Sequence, residues 1–174
     1  YRVVGDVTSN AEGPRPNQFP LLQEENRAIE FDDVGYLVVT DPGDDSALDF
    51  GLGDAITLEA WVRPDEIRSG GYAYIVGKGR TGNAGVSADN QNYALRLAGN
   101  GGAAGLAFLF RSAGKDGDWH RWTSEAALAA GDGWHHVAVS YESGGERRLF
   151  LDGVLIGSNV PGTVGVNTGY DLNV

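Results

Sequence analysis

An antiparallel all-β fold, a sandwich or barrel, is what this sequence predicts, and three observations predict it. Glycine supplies 27 of the 174 residues, about twice its usual ~7% share, which implies many turns. The apolar runs are short, rich in β-branched and aromatic residues, and separated by glycine or aspartate clusters. No window of helical period and useful length is present. At this size one domain can bury roughly 70% of the surface its unfolded chain exposes, so a true core is expected.

Residues 1–26 read as an irregular lead-in. Its first seven residues offer one short strand, and Pro14, Pro16 and Pro20 break the stretch after it. From Arg27 a strand rhythm begins and runs to Gly157, after which the chain is glycine- and asparagine-rich; residues 27–174 are expected to form a sandwich that lacks its final strand. Strands are expected at 28–32, 36–39, 56–63, 72–78, 92–98, 105–111, 134–142, 147–151 and 154–157. Ser46 to Phe50 reads as a single helical turn capped by Asp45 or Ser46. Ser124 to Ala130 has helical propensity but equally suits an extended strand, and propensity alone leaves both open. Asp152-Gly153 supplies the two positive-φ residues of a type I′ turn, which predicts a hairpin.

Period-two alternation assigns faces. Ile56, Leu58, Ala60 and Val62 share one side of their strand, and Thr57, Glu59, Trp61 and Arg63 the other. Tyr93, Leu95 and Leu97 form the core phase of the next such strand, which leaves Ala94 and Arg96 outward. Val137, Val139 and Tyr141 do the same further on, with His136, Ala138 and Ser140 outward. One buried and one wet face is the antiparallel pattern.

Composition narrows the function. Asp and Glu number 24 against 13 Lys and Arg, a formal charge of -11. That field repels phosphate backbones and anionic lipid, which argues against nucleic-acid partners. Cysteine is absent, so disulfides, thiolate nucleophiles and sulfur-based zinc sites are excluded. No apolar run approaches the ~20 residues of a membrane-spanning helix, so membrane insertion is not expected, and no signal-peptide pattern opens the chain. Methionine is also absent, and Tyr1 reads as a processed or excised end.

Several segments, in order, resemble one family. Ile56-Thr57-Leu58-Glu59-Ala60-Trp61-Val62-Arg63-Pro64 resembles the F-T-I-E-A-W-V-K-P strand of laminin G-like domains. Tyr74 to Gly79 and Asn92 to Leu97 are similar to their next strands. Gly133-Trp134-His135-His136-Val137-Ala138-Val139-Ser140-Tyr141 resembles W-H-H-V-A-V-T-Y, and Leu149 to Gly153 matches the L-Y-V-D-G hairpin after it. Ala28 to Asp32, leading into Gly35 to Val38, resembles the family's opening pair. The resemblance implies a concanavalin A-like jelly roll of two curved antiparallel sheets. It also implies a secreted, periplasmic or cell-surface module of a longer protein. Nothing after Gly157 matches the closing strand of that family, so the resemblance predicts a fragment, or a last strand supplied from elsewhere.

Glucanases of that fold carry carboxylates at i, i+2 and i+4 on one strand face, because alternation then sets them near the ~5–5.5 Å separation that retention requires. Here the outward phase reads Glu59, Trp61, Arg63, one carboxylate where three are wanted. Glu30 and Asp32 are followed by Val34. Catalysis is therefore not expected. If the strands order as in the family, Glu59, Trp61, Arg96, Arg111, His136 and Ser140 gather on the concave sheet as a ligand-binding face. A tryptophan beside Arg, Glu and His suits sugar recognition. The plainer reading is a solvated or covered face with a Glu59–arginine cross-strand pair.

Adjacent strand residues point to opposite faces, so His135 and His136 do not share a metal ion, and His120 completes no zinc set. Trp119 and Trp122 lie near glycine and aspartate and are read as core or partly buried, on opposite faces if this is a strand. Asp41, Asp44, Asp45 and Asp49 crowd around Pro42-Gly43, and Asp89, Asn90 and Asn92 form a second oxygen-rich loop. Such loops offer the hard oxygen ligands of Ca2+, the one cofactor the sequence suggests, and ordinary solvation is the alternative. The expected function is a non-catalytic module that binds carbohydrate or protein. The rival is a structural accessory domain packing on neighbouring domains or chains, and a glycoside hydrolase stands third.

Overall fold

The computed structural model describes residues 1–32, 34–43, 45–79, 92–111, 119–162 and 171–174. The chain forms two compact units, Tyr1–Val39 and Thr40–Val174. The first holds β1 (Arg2–Val4), β2 (Val7–Glu12), β3 (Arg27–Phe31) and β4 (Tyr36–Val39). β1 pairs antiparallel with β4, Arg2 opposite Val38, and β2 with β3, Val7 opposite Phe31. The lead-in is thus more regular than its prolines suggest: it holds two strands, and Pro14, Pro16 and Pro20 fall in the connection after Glu12. Gly35 is obligatory here, because a Cβ on it would lie 2.1 Å from the Asp6 carbonyl oxygen.

The second unit contains β5 (Ala55–Val62), β6 (Tyr72–Lys78), β7 (Tyr93–Asn100), β8 (Ala103–Arg111), β9 (Trp119–Ala129), β10 (His135–Glu142), β11 (Arg147–Leu151), β12 (Val154–Asn159) and β13 (Leu172–Asn173). Two antiparallel sheets result. The first runs β13-β6-β7-β8-β9 and the second β12-β11-β10-β5. No helix occurs among the described residues, and the architecture is the expected jelly-roll sandwich.

The core lies between these sheets. Tyr93, Leu95, Leu97, Leu106, Phe108 and Phe110 face it from β7 and β8, and Val137, Val139, Tyr141 and Leu149 from β10 and β11. Ile56, Leu58, Ala60 and Val62 of β5 pack on it as half-buried side chains, so the even-numbered phase is inward as alternation predicts. Phe50 plugs it from a loop, edge-on to Tyr93, Phe110 and Tyr141 at centroid distances of 6.3, 6.2 and 5.5 Å. Where a single helical turn is expected at Ser46–Phe50, that loop makes a hydrogen-bonded turn without a helix: the Ser46 amide donates to Asp49 Oδ2 while the Ser46 hydroxyl accepts from the Leu48 amide. Asn92 Nδ2 donates to the Phe50 carbonyl at 3.0 Å, and the Tyr93 hydroxyl to that of Leu48 at 2.8 Å.

Pairing settles the alternative left open at Ser124–Ala130. The segment continues β9 to Ala129, opposite Ala103 of β8, with register shifts at Gly105. Tertiary hydrogen bonding overrides an alanine-rich helical propensity there. The hairpin at Asp152-Gly153 forms with φ of 50° and 78°, as a type I′ turn requires. Beyond the expected end of β12, the tail returns Leu172 to the core and pairs it with Lys78 of β6.

Candidate functional site

The second sheet gathers part of the expected face. His136 is opposite Trp61, Ala138 opposite Glu59, and Ser140 opposite Thr57. Inward Val137 and Val139 fix the phase, so Glu59, Trp61, His136 and Ser140 share the outer surface of β5 and β10. The Trp61 and His136 rings are 5.3 Å apart and tilted by 57°. His136 Nε2 is 3.6 Å from Glu59 Oε2. His135 turns to a different partner, Asp152 Oδ2 at 2.8 Å, and Asp152 Oδ1 accepts the His136 amide.

Arg96 and Arg111 do not join them. They belong to β7 and β8 of the first sheet, on the side away from the core. Outward side chains of two sheets that sandwich a core point in opposite directions. The six expected residues therefore divide into two surfaces, and the concave-face cluster is corrected accordingly.

The Arg96 surface contains residues that sequence reasoning missed. Tyr74 is directly opposite Arg96, and Tyr72 opposite Ala98. The Arg96 guanidinium carbon is 3.6 Å from the Tyr72 ring centroid and 5.6 Å from that of Tyr74. Nη1 donates to the Tyr74 hydroxyl at 3.3 Å. Tyr72 and Tyr74 are 54% and 42% exposed, yet the arginine beneath them is only 5% exposed. Across β8 the neighbouring positions are Gly105 and Ala107, too small to cover the rings. Thr123 of β9 is opposite Ala107, and Arg121 opposite Leu109; both are exposed. The geometry is a pair of half-exposed tyrosines on a buried cation, and the outward positions beside it, Ala94, Ala107 and Leu109, are themselves buried. Stacking on desolvated guanidinium supplies about 2 kcal/mol in favourable cases. The available signal was the i, i+2 tyrosine pair in Tyr72-Ala73-Tyr74.

The acidic loop is organised around a cation of the protein's own. Lys78, fully buried, brings its ammonium 2.8 Å from Asp41 Oδ2 and also pairs with Asp49. The Asp41 carboxyl is held below the usual range, chiefly by that lysine hydrogen bond. Burial, then Asp49 and Asp41, push the Tyr93 hydroxyl up to about 12. Asp45 is exposed, whereas Asp44, Asp89 and Asn90 lie outside the described residues. Asn92 of the second expected calcium loop serves the Phe50 carbonyl instead. Among the described residues no three His, Asp or Glu converge as a metal site, so the calcium expectation meets Lys78 already seated between two of its named ligands.

Two further ionisable side chains pack against core aromatic rings. Arg147 is fully buried, its guanidinium carbon 5.0 Å from the Trp122 ring and 5.8 Å from Phe110. Nε donates to Asn159 Oδ1 at 2.7 Å, and neither terminal nitrogen has an acceptor. His120 stacks on Phe110 at 5.2 Å. Trp122 packs on the core, as expected of one of the two tryptophans.

A family model for Laminin_G_3, of the concanavalin A-like lectin/glucanases superfamily, matches residues 35–174. Among solved structures, the binding domain of Paraclostridial Mosquitocidal Protein 1 superposes with a TM-score of 0.58 at 14% identity, over 79% of this chain and 32% of that one. The botulinum neurotoxin serotype G binding domain gives 0.55 at 11% identity, over 99% and 38%. The chain thus spans about a third of each of those structures, and identities this low speak for the fold alone. None of the curated proteins matches the sequence. Among the described residues no helix is long and apolar enough to cross a membrane.

Proposed function

Because the chain belongs to the Laminin_G_3 family of the concanavalin A-like lectin/glucanases superfamily, we propose that it is a non-catalytic carbohydrate-binding module whose glycan rests on the exposed tyrosine rings of β6. The observation that carries this is the exposed Tyr72–Tyr74 pair held upright on buried Arg96. Two adjacent rings with hydroxyl tips offer what a sugar needs, an apolar face for its C–H side and hydrogen-bond partners at the edge. Arginine underneath limits their rotation, so less entropy is lost when a ligand arrives. Support for a non-catalytic role comes from β7–β9, where the exposed Glu125 at the β9 bulge is the single carboxylate among the described residues. A glycosidase pair has no place there. The two toxin structures are themselves binding domains, and a secreted or surface location suits such a role.

Glycan-array screening followed by calorimetry tests the reading. Tyr72→Ala and Tyr74→Ala should each weaken the best ligand by about tenfold or more, roughly 1.4 kcal/mol, with the bound oligosaccharide recovered uncut. Trp61→Ala should leave affinity within about twofold. Loss with Trp61→Ala alone would move the site to the second sheet. A second reading, an accessory domain packing on protein neighbours, is favoured by exposed Val154 and Leu155 on β12 and Val160 just after it, apolar side chains suited to a partner surface.

A further inference from the structure

Along one margin of the sandwich the two sheets are joined by a seam of polar and aromatic side chains. β9 ends the first sheet there and β12 ends the second. Trp122 of β9 lies against the backbone of Gly157 in β12, where an added Cβ would come 3.1 Å from the indole. Arg147 of β11 fills the space beside it, its guanidinium carbon 5.0 Å from that ring and its Nε bonded to Asn159 of β12. His120 completes the seam. It is directly opposite Phe110 and so shares the inward phase of that residue, and the two rings stack at an interplanar angle of 11°.

Nitrogen atoms without partners set this seam apart. Both terminal nitrogens of Arg147 and Nδ1 of His120 are buried with no hydrogen-bond partner. The Pro161 carbonyl, just past β12, is the group the imidazole reaches, and with Nδ1 unpartnered that contact falls to Nε2. A second proton on the ring must therefore occupy Nδ1, a buried atom with nothing to receive its N–H. The charges facing it raise that cost. Arg147 from β11 stays cationic, Tyr141 from β10 is buried and neutral, and β8 contributes only Phe110. Arg111 and Arg121 leave by the outward phase, and Glu146, beside Arg147 in sequence, is taken by Arg148. Among the described residues no carboxylate pairs with Arg147 or His120.

We infer that the seam between β9 and β12 opens in acid: a proton on His120 sets a second buried cation against Arg147, and the margin parts until water reaches both. Opening breaks the contact of Trp122 with Gly157 and uncovers the indole. The β5–β10 ladder, on the far side of the second sheet, stays closed. Linkage fixes the sense of the change. The open form binds the proton more tightly than the closed one, so closure is complete above the ordinary histidine range and is lost as pH falls through it. The response belongs to one edge of the sandwich and is independent of what the tyrosine rings of β6 bind.

Hydrogen exchange of the intact chain, read by peptide mass spectrometry and corrected for the intrinsic pH dependence of amides, tests this between about pH 7.5 and about pH 5. That interval spans the ordinary histidine value of 6.5. Amides of β9 and β12 should exchange about threefold faster or more at the acid end, relative to those of β5 and β10. His120→Gln and His120→Phe, neither of which takes a proton, should each flatten that ratio, with thermal melting at neutral pH verifying their fold. Arg147→Met, which removes the neighbouring charge, should shrink it. Acrylamide quenching of tryptophan emission should rise over the same interval and lose that rise in Trp122→Phe. Equal acceleration of every strand would mean global unfolding and overturn a local seam. A ratio that does not change with pH, or that persists in both His120 variants, would overturn the role of the imidazole.

Discussion

Arg147 occupies a place where a charge is costly. Its terminal nitrogens are buried without acceptors, and burial draws its pKa down to about 10. The flanking Trp122 and Phe110 rings return part of that cost through cation–π attraction. Replacing buried charged groups with apolar residues of similar volume is often neutral or stabilising by about 1–4 kcal/mol. Arg147→Met is therefore expected to keep or raise the melting midpoint, whereas Arg147→Ala, which empties the space beside both rings, should cost about 2–5 kcal/mol; thermal denaturation reads both. His120, next to it, is held below the ordinary histidine pKa by burial first and by Arg147 second. The folded form keeps it neutral, so the unfolded chain takes up the proton first. Its contribution is complete above the ordinary histidine range and is lost as pH falls through that range. Asp41, also lowered, adds a separate loss only as the pH falls below the ordinary carboxylate range. His120→Phe should flatten the upper limb of a stability–pH curve and leave the lower limb in place.

Elements whose two faces meet opposite environments were readable one residue at a time. In β5 and β10 the inward set Ile56, Leu58, Ala60, Val62, Val137 and Val139 follows from period two alone. The Asp152-Gly153 turn was equally legible, since few sequences supply two consecutive positive-φ residues. Gly153→Ala, at φ 78°, should cost roughly 1–2 kcal/mol by the steric penalty of that region, measured as a shifted urea midpoint with unchanged m-value. What alternation could not give was the sheet to which each strand belongs. It states that Arg96 and His136 both point away from the core, but only long-range pairing reveals that they leave through different sheets. The same limit hid Lys78 between Asp41 and Asp49, because residues 29 positions or more away from it in sequence close that site. Bulges added to the difficulty: β6 shifts register between Tyr74 and Val76, and β9 shifts at its pairing with Gly105, so alternation does not carry through either strand.

At the scale of the molecule, net charge acts on stability. A net -11 repels itself within the compact state. Raising sodium chloride toward 0.5 M, which shortens the Debye length well below the ~10 Å of 0.1 M salt, should increase the melting midpoint. A midpoint that falls as salt rises would contradict that self-repulsion.

The short β13 has a consequence in time. Leu172 and Asn173 meet Lys78 and Gly77 across more than ninety residues of intervening chain, and pairing of such separation is slow because the loop must close before any contact rewards it. On the ribosome, the β6 margin would stay unlatched until almost everything between has emerged. A nascent chain halted before residue 171 should therefore be cut by protease near Lys78, and one released past Val174 should resist.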